Sequence, residues 1–403
     1  MSDARLRWWI LTLLFLGTTI NYLDRIILGI LLPDIRSELH ISDTEYGFVT
    51  AAFQAAYTLG FLYMGRFVDR VGSRVAYGIA AVCWSAAAGL TVLARSAFQL
   101  GVWRSFLGLS ESCNFPAAIK SVADWFEEKD RAFATGVFNS GTNVAAMAGP
   151  PIFVYLSQRY GWRACFLFTA SMGILWVIAW MQIHPRFVKT KENLPVAISW
   201  GEAARLRPAW GFAFGKFFSD PAWWFYLFWL PLYLHEVRKL DMTTVGWALM
   251  FIYVMAGVGG MTGGWVSGRL IRHGWQPLRA RKAAMLVCAC SMPFTALGVL
   301  APSATVAIVL FSLATGLHQA WSANLFTTVS DTVPRHAVGA VTGLGGFAGG
   351  LSGIIFSAII PGYVIPRYGY TPVFLGMGVL YFAGLFALDR LTRRDELPRG
   401  VSV

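Results

Sequence analysis

Apolar stretches of about 20 residues recur along the whole chain, separated by short breaks rich in charged and turn-forming residues. A helix of about 20 apolar residues spans the hydrocarbon core of a bilayer, because each helical residue adds about 1.5 Å. The pattern therefore predicts twelve membrane-spanning helices. They cover residues 8–33, 44–66, 75–95, 98–120, 131–157, 162–183, 209–234, 243–268, 282–301, 304–330, 337–363 and 371–389.

The composition supports a membrane location. The chain has 403 residues, of which 56% are hydrophobic and 13% charged, and its mean hydropathy is +0.55. A net charge of +12 would suggest a nucleic-acid partner in a soluble protein, but here the basic residues cluster in the breaks between apolar stretches. We therefore exclude nucleic acid and expect the lipid bilayer as partner. No small-residue cleavage site follows the first apolar stretch, so we expect it to be a retained helix.

Lysine and arginine are distributed unequally between the two sides of the predicted bundle. With the N-terminus in the cytoplasm, the cytoplasmic segments hold 21 of these residues and the opposite segments hold seven. The positive-inside rule then predicts a multi-pass protein of a bacterial inner membrane, with both termini cytoplasmic. The five cysteines lie in or beside apolar stretches, so no disulfide framework is expected.

The longest polar connection, residues 184–208, contains three prolines and several charges. It separates six predicted helices from six, which indicates an N-terminal bundle (1–183), a cytoplasmic linker (184–208) and a C-terminal bundle (209–403).

The two halves repeat weakly. Arg159-Tyr160-Gly161 recurs as Arg367-Tyr368-Gly369 at a shift of 208, and Thr135-Gly136 recurs as Thr342-Gly343 at a shift of 207. A nearly constant shift at separated places favours duplicated halves. The predicted fold class is thus an all-α membrane protein with twelve transmembrane helices in two pseudo-symmetric six-helix bundles.

Two neighbouring charged residues, Asp24 and Arg25, lie inside the first apolar stretch. A charge at the centre of a bilayer costs roughly 3 kcal/mol, so such residues need partners and often mark a transport path or a proton relay. Helical spacing places Asn21, Tyr22 and Arg25 on one face. We expect this face to line a cavity and Asp24 to turn toward another helix.

The fourth predicted helix carries Arg104, Gly108, Glu111 and Asn114, which are spaced by 4, 3 and 3 residues and so form one polar stripe. The same bundle therefore holds a second acid and a second base. One interpretation is a proton-coupling site, and the other is a salt-bridge network that only holds helices together.

Two polar pairs occur in the second half. His318 and Trp321 share a face of the tenth predicted helix, where they either contact a ligand or supply an interhelical hydrogen bond and packing. Lys216 and Asp220 are four residues apart and precede Pro221, which favours an internal ion pair at a helix kink near the cytoplasmic end.

Several motifs of catalysis are missing from the sequence. It has no G-x-x-x-x-G-K-[ST] phosphate loop, no H-E-x-x-H motif, no Cys/His metal set and no plausible intramembrane nucleophile with a His and an acid. We therefore predict neither an enzyme nor a bound cofactor or metal, and an ion gradient is the expected energy source.

The break between the second and third predicted helices, residues 65–74, has the pattern Gly-x-x-x-Asp-Arg-x-Gly-x-Arg. Its glycines permit close approach and a tight turn. Asp69 can accept hydrogen bonds at a helix end and pair with Arg70 or Arg74. The alternative is a basic hairpin that merely follows the positive-inside rule.

In a twelve-helix chain, this loop resembles the signature loop of the major facilitator superfamily, and the resemblance covers essentially the whole chain. It implies that the loop latches the two bundles on the cytoplasmic side, through Gly65, Asp69, Arg70, Gly72 and Arg74.

Within that superfamily, the chain resembles the anion:cation symporter group. The motifs that carry this resemblance are Tyr22-x-Asp24-Arg25, Arg104 with Glu111, and Trp321-Ser322. Three longer stretches resemble bacterial hexuronate (galacturonate or glucuronate) transporters. They are residues 114–120 with 138–143, residues 220–231, and residues 318–325.

The resemblance implies roles for individual residues. Arg25 and Tyr22 would bind the substrate carboxylate with help from Tyr57, while His318 and Trp321 would contact the hydroxyl groups and the face of the sugar. The resemblance also implies roles in proton coupling. Asp24 and Glu111 would be the protonatable pair, and Arg104 would be their counter-ion.

These observations predict a monomeric symporter that imports a hexuronate with protons by alternating access. An aldonate such as galactonate, or an aromatic carboxylate, is the alternative substrate. Galactonate-type relatives carry Asn where this chain has Gly346, which favours the ring-form uronate. A membrane sensor is a further alternative, but it would need a soluble signalling domain that the sequence does not show.

Overall fold

The computed structural model describes residues 3–184 and 198–392, and this part of the chain is helical without strands. Most of the predicted linker (185–197) and the last residues (393–403) lie outside the described residues. The α-helices are α1 (Asp3–Ile30), α2 (Leu32–Leu39), α3 (Asp43–Val71), α4 (Ser73–Leu90), α5 (Ala97–Glu111), α6 (Asn114–Trp125), α7 (Glu128–Tyr160), α8 (Trp162–Ile183), α9 (Trp200–Arg205), α10 (Arg207–Leu232), α11 (Met242–Arg272), α12 (Pro277–Ala296), α13 (Ala304–Thr332), α14 (Val338–Gly353), α15 (Ile360–Tyr368) and α16 (Thr371–Leu391).

These helices account for all twelve predicted spans and confirm the all-α class. The fourth span consists of α5 and α6, and the eleventh consists of α14, a π-helical turn (Ile354–Ile359) and α15. Eight segments within the described residues are long and apolar enough to cross a membrane: Arg5–Ile30, Ser73–Leu93, Trp162–Ile183, Thr244–Arg272, Pro277–Leu300, Ala304–Thr332, Arg335–Tyr368 and Thr371–Leu391. The fourth span, which holds Arg104 and Glu111, is not among them, because its two helices have only 15 and 12 residues.

The internal contacts of the chain divide it into two compact units. Unit 1 comprises Met1–Trp125, Gly141–Ile198 and His336–Gly343. Unit 2 comprises Phe126–Ser140, Ser199–Arg335 and Leu344–Val403. The units differ from the sequence-based division in two segments: Phe126–Ser140 belongs to unit 2, and His336–Gly343 belongs to unit 1. The boundaries 1–183 and 209–403 stay a prediction.

An aromatic cluster fills the core of unit 1 between α4 and α8. Tyr77, Trp84, Trp176 and Trp180 are all buried, and the Tyr77 ring lies edge-on to the three indoles with centroids 4.8 to 5.8 Å apart. The Trp176 indole N–H donates to the Leu13 carbonyl at 2.7 Å. This cluster therefore fixes α1, which carries the first candidate charges, against α8.

In unit 2, α10 packs against a row of glycines on α14. The glycines are spaced by four residues, so they lie on one helix face. A Cβ atom at each would collide with a side chain of α10: Gly345 with Phe212, Gly349 with Asp220 and Gly353 with Trp224. The absence of side chains on this face of α14 makes room for the bulky and charged residues of α10.

Candidate functional site

Arg25 lies on α1 between two tyrosine rings of unit 1. Its guanidinium carbon is 4.5 Å from the ring centre of Tyr22 and 4.1 Å from that of Tyr57, which comes from α3. Phe53 approaches from the same helix at 5.5 Å. Aromatic faces attract a guanidinium group and fix its plane. The three residues predicted to hold a substrate carboxylate, Tyr22, Arg25 and Tyr57, are thus brought together.

The Arg25 guanidinium also pairs with Glu111. Its Nη2 and Nε atoms donate to the same carboxylate oxygen, Oε2, at 3.2 and 3.4 Å. The other oxygen, Oε1, is buried and has no hydrogen-bond partner among the described residues. A guanidinium can bind both oxygens of a carboxylate in parallel, so this pair uses only part of the available geometry.

Glu111 owes its position to a break in the helix. It is the last residue of α5, and α6 begins at Asn114. Pro116 has no N–H to donate to the carbonyl of Ser112, and its ring clashes with that carbonyl in a continuous helix. The chain therefore turns at Ser112 and Cys113, which places the Glu111 carboxylate beside Arg25.

Arg104 fixes the backbone that carries Arg25. It is buried, and it donates to the carbonyl oxygens of Asp24 (2.8 Å) and Arg25 (3.1 Å) while its guanidinium lies 4.8 Å from the Phe53 ring centre. The sequence suggested Arg104 as counter-ion of Asp24 and Glu111. Its direct partners are carbonyl oxygens instead, and the counter-ion role stays a prediction.

Asp24 turns away from Arg25, as the helical spacing predicted. Its buried side chain lies beside Thr169 of α8, whose hydroxyl donates to the Phe166 carbonyl. Neither carboxylate oxygen of Asp24 has a hydrogen-bond partner among the described residues, and the same holds for both side-chain polar atoms of Asn21. The first apolar helix therefore buries two polar side chains that its neighbours leave without hydrogen bonds.

His318 is surrounded by aromatic side chains of unit 2. Its Nδ1 atom lies 2.6 Å from the Tyr381 hydroxyl, and its ring stacks on Trp223 with centroids 5.4 Å apart and an interplanar angle of 15°. Neither Trp223 nor Tyr381 is among the residues that the sequence predicted for the site. Trp223 belongs to one of the stretches that resemble hexuronate transporters, whereas nothing in the local pattern distinguishes Tyr381 from other buried tyrosines.

Trp321 is fully buried one turn beyond His318. Its ring lies edge-on to Tyr381 with centroids 5.1 Å apart, and Gly384 is the close neighbour on α16. The indole nitrogen has no hydrogen-bond partner among the described residues. The predicted contact of Trp321 with a sugar face stays a prediction, because the ring lies inside the packed unit in this structure.

The signature loop forms a polar cluster around Asp69. This carboxylate accepts hydrogen bonds from the Lys120 ammonium at 2.9 Å and from the backbone N–H groups of Gly339 and Ala340 at 3.0 and 2.6 Å. These two N–H groups belong to the first turn of α14, where backbone donors lack helical partners. The expectation that Asp69 caps a helix end is confirmed. Its cation is Lys120, rather than the predicted Arg70 or Arg74.

The other residues of the signature loop differ in backbone conformation and in their contacts. Gly72 has φ +82°, which a residue with a side chain rarely adopts, and a Cβ at Gly65 would collide with the Gly339 carbonyl. Arg74 donates to the carbonyls of Met181 and His184 at 2.6 and 2.7 Å, and Arg70 is exposed. The role of the loop as a latch between the predicted bundles stays a prediction.

Comparison with known proteins decides the family. The family model described as Major Facilitator Superfamily matches residues 14–357. The chain belongs to the Major Facilitator Superfamily. The resemblance seen in the signature loop is thereby confirmed, and this Major Facilitator Superfamily protein is a multi-pass membrane transporter and not an enzyme.

Among its curated relatives is the hexuronate transporter of Escherichia coli K12, which is 30% identical over 403 residues, covering 95% of this chain and 93% of the relative. The D-galactonate transporter of Escherichia coli O6:H1 (strain CFT073) is 27% identical over 409 residues, covering 95% of each chain. Among solved structures, a proton:xylose symporter of the superfamily superimposes with a TM-score of 0.74 at 14% identity, covering 95% of each chain. This structural likeness supports the fold.

Proposed function

We propose that this protein is a proton-coupled symporter that imports a hexuronate across a bacterial inner membrane, with both termini in the cytoplasm. The observation that carries the proposal is the ion pair of Arg25 with one oxygen of Glu111, held between the rings of Tyr22 and Tyr57. An internal carboxylate occupies the guanidinium group at which a substrate carboxylate would bind.

Competition between the two carboxylates supplies a coupling mechanism. When Glu111 takes up a proton, it loses its charge and its attraction for Arg25. The guanidinium then accepts the substrate carboxylate, with both oxygens in parallel. Loss of the proton restores the internal pair and expels the substrate. Proton and anion therefore move in the same direction when the site is exposed alternately to the two sides of the membrane.

The buried carboxylate of Asp24 is a second candidate for the proton. It lies next to Arg25 in the chain but faces α8, and its oxygens lack hydrogen-bond partners among the described residues. Arg104 links the two residues by binding both of their backbone carbonyls. A proton on Asp24 can thus affect Arg25 through the backbone of α1 rather than through direct contact.

The substrate class rests on the relatives. A hexuronate is favoured by the relative named hexuronate transporter, at 30% identity over nearly the full length of both chains. An aldonate such as galactonate is the second candidate, supported by the D-galactonate transporter at 27% identity. Both ligands present one carboxylate and several hydroxyl groups, so the Arg25 site alone accepts either.

Uptake into proteoliposomes tests this proposal. Purified protein is reconstituted at pH 7.5 inside and pH 6.0 outside, and uptake of labelled galacturonate, glucuronate, galactonate and benzoate is followed. We expect accumulation of a uronate above equilibrium, abolished by a protonophore. Accumulation of galactonate alone would select the aldonate alternative. Equal uptake with and without the pH gradient would reject proton coupling.

A further inference from the structure

A cavity of about 830 Å³ lies between α12 and α16 in unit 2. The two helices touch near the end of α12, where a Cβ atom at Gly378 would come within 3.2 Å of the Pro293 Cα atom. Around the start of α12 and the end of α16 the cavity separates them, and side chains from residues 275–286 and 382–392 line it. The cavity is therefore distinct from the site around Arg25, which lies in unit 1.

The position of the cavity along the two helices places it at the boundary of the membrane. Pro277–Leu300 and Thr371–Leu391 are each long and apolar enough to cross a membrane. Where such a segment begins or ends, it lies at the level of the lipid headgroups. Arg279 and Leu286, which both line the cavity, are seven residues apart, or about 10 Å along α12. The cavity therefore runs from the headgroup level into the hydrocarbon region.

Large apolar side chains line the cavity on both helices. Leu286 of α12 is 50% exposed, and on α16 Phe382 is 41% and Phe386 61% exposed. In a chain that spans a membrane, apolar side chains exposed at this depth contact hydrocarbon rather than water. The walls of the cavity therefore suit an acyl chain.

Four charged residues form the rim of the cavity where α12 begins and α16 ends. Arg279 is exposed, and its guanidinium carbon lies 5.1 Å from the ring centre of Trp275. Lys282 lies one turn later, and its ammonium is 2.9 Å from Oδ1 of Asp389 on α16. Arg390 follows in the last turn of α16. With three cations and one acid, this charged rim carries a net charge of +2.

We propose that the cavity binds an anionic glycerophospholipid, with the lipid phosphate at Arg279 and Lys282 and an acyl chain between Leu286 and Phe382. Guanidinium and ammonium groups donate charge-assisted hydrogen bonds to phosphate oxygens. Basic pockets between transmembrane helices bind anionic headgroups in this way. A bound lipid then joins α12 to α16 at the end where the cavity separates them.

The net charge of the rim distinguishes this occupant from two others. A zwitterionic headgroup brings an ammonium group of its own, which the cations of the rim repel. A second copy of this chain fits less well, because a twofold contact brings two positive rims together. An anionic lipid supplies both the negative charge and the apolar chain that the cavity lacks.

Lipid binding to the purified full-length protein in detergent tests the proposal. The delipidated protein is titrated with dioleoyl phosphatidylglycerol, dioleoyl phosphatidylcholine or inorganic phosphate, and binding is followed by native mass spectrometry and by the melting temperature. We expect phosphatidylglycerol to bind at least about tenfold more tightly than phosphatidylcholine and to raise the melting temperature. Inorganic phosphate at the same concentrations should not raise it, because it has no acyl chain.

The decisive variant is Arg279→Gln with Lys282→Gln, which removes the two cations at the proposed phosphate position. We expect it to lose about tenfold or more in affinity for phosphatidylglycerol, since each basic residue near an anionic headgroup contributes to binding. Its affinity for phosphatidylcholine should stay within about twofold. No substrate enters this measurement, so its outcome does not depend on the proposed function.

The matched control is Arg269→Gln with Arg272→Gln on α11. These residues have the same spacing, and neither lines the cavity. The Arg269 guanidinium lies 5.5 Å from the ring centre of Trp265, and Arg272 pairs with Asp130 at 3.7 Å, so the control also removes one cation beside an indole and one cation of an ion pair. The control is expected to bind both lipids like the parent.

Parent-like affinity of the decisive variant for phosphatidylglycerol, or an equal loss in the control, overturns the proposal. Equal binding of the two lipids by the parent does so as well, and a lipid-independent dimer that the decisive variant loses would assign the cavity to a second copy. If the decisive variant does not fold, Ala283→Phe is the second variant, because it keeps the charges and fills the cavity. It should bind phosphatidylglycerol at least about tenfold more weakly, and unchanged affinity would reject the site.

Discussion

Arg25 and Glu111 face each other in unit 1, and two N–H groups of the arginine donate to one oxygen of the carboxylate, Oε2, at 3.2 and 3.4 Å. The second oxygen of Glu111 is buried and has no partner among the described residues. A substrate carboxylate can therefore replace Glu111 at Arg25, because a carboxylate that binds the guanidinium group with both oxygens makes stronger hydrogen bonds than one that uses a single oxygen.

Replacing Arg25 with lysine keeps the positive charge but removes the planar fork. We expect Arg25→Lys to weaken binding of the sugar acid at least about tenfold, since lysine cannot bind both oxygens in parallel and stacks less well between Tyr22 and Tyr57. Equilibrium binding to the purified variant measures this. The control is Arg95→Lys, at an exposed position. Parent-like affinity of Arg25→Lys would make Arg25 a structural ion.

Glu111→Gln imitates the protonated carboxyl group, because the amide is nearly isosteric and uncharged. The variant should still exchange labelled for unlabelled sugar acid across proteoliposomes, since Arg25 remains available for the substrate. It should fail to accumulate substrate under an imposed pH gradient, because no proton is released from position 111. Full accumulation by Glu111→Gln would remove this residue from the coupling path and leave Asp24 as the candidate.

Because Trp321 is fully buried, we expect its replacement to lower the stability of the protein. Removing a fully buried tryptophan side chain costs about 3–5 kcal/mol, so Trp321→Ala should lower the melting temperature clearly. Trp223 is only partly buried and stacks on His318. Trp223→Ala should change the melting temperature less and sugar-acid affinity more. A normal melting temperature with lost affinity in Trp321→Ala would support direct contact of Trp321 with the sugar.

Gly349 and Gly376 form a matched pair of helical glycines in unit 2. A Cβ at Gly349 collides with Asp220, whereas a Cβ at Gly376 meets no atom within 4 Å. We expect Gly349→Ala to lower the melting temperature by displacing the Lys216–Asp220 pair. Gly376→Ala should raise it slightly, because alanine favours a helix by up to about 1 kcal/mol. Thermal unfolding of the two variants in the same detergent measures the difference. Equal melting temperatures would show that the Lys216–Asp220 ion pair tolerates displacement.

The Asp69 cluster predicts a non-additive pair of substitutions. Asp69→Asn removes the carboxylate that pairs with the buried Lys120 ammonium, and breaking a buried ion pair costs about 3–5 kcal/mol in comparable cases. Adding Lys120→Met removes that charge and should recover part of the loss. A double-mutant cycle of unfolding free energies measures the coupling. Simple additivity would indicate that the hydrogen bonds to Gly339 and Ala340, and not the ion pair, stabilise this cluster.

The helical spacing on α1 was sufficient to predict that Arg25 joins Tyr22 while Asp24 points elsewhere, because side-chain direction in a helix follows from sequence distance. Likewise, the apolar periodicity was sufficient for the twelve spans, since a bilayer imposes a minimum length and an apolar surface on any helix that crosses it. The signature loop gave the family without reference to coordinates.

Partners that meet across helices could not be read from the sequence. Lys120 replaces Arg70 and Arg74 at Asp69, and Arg104 binds carbonyl oxygens instead of carboxylates. Trp223 and Tyr381 join His318 from helices far away in the chain. The sequence alone determined the membrane class, the helix count and which residues on each helix share a face, because these depend on local periodicity and on the solvent. Only the tertiary structure decided which charge meets which partner, because those distances depend on how helices remote in sequence pack together.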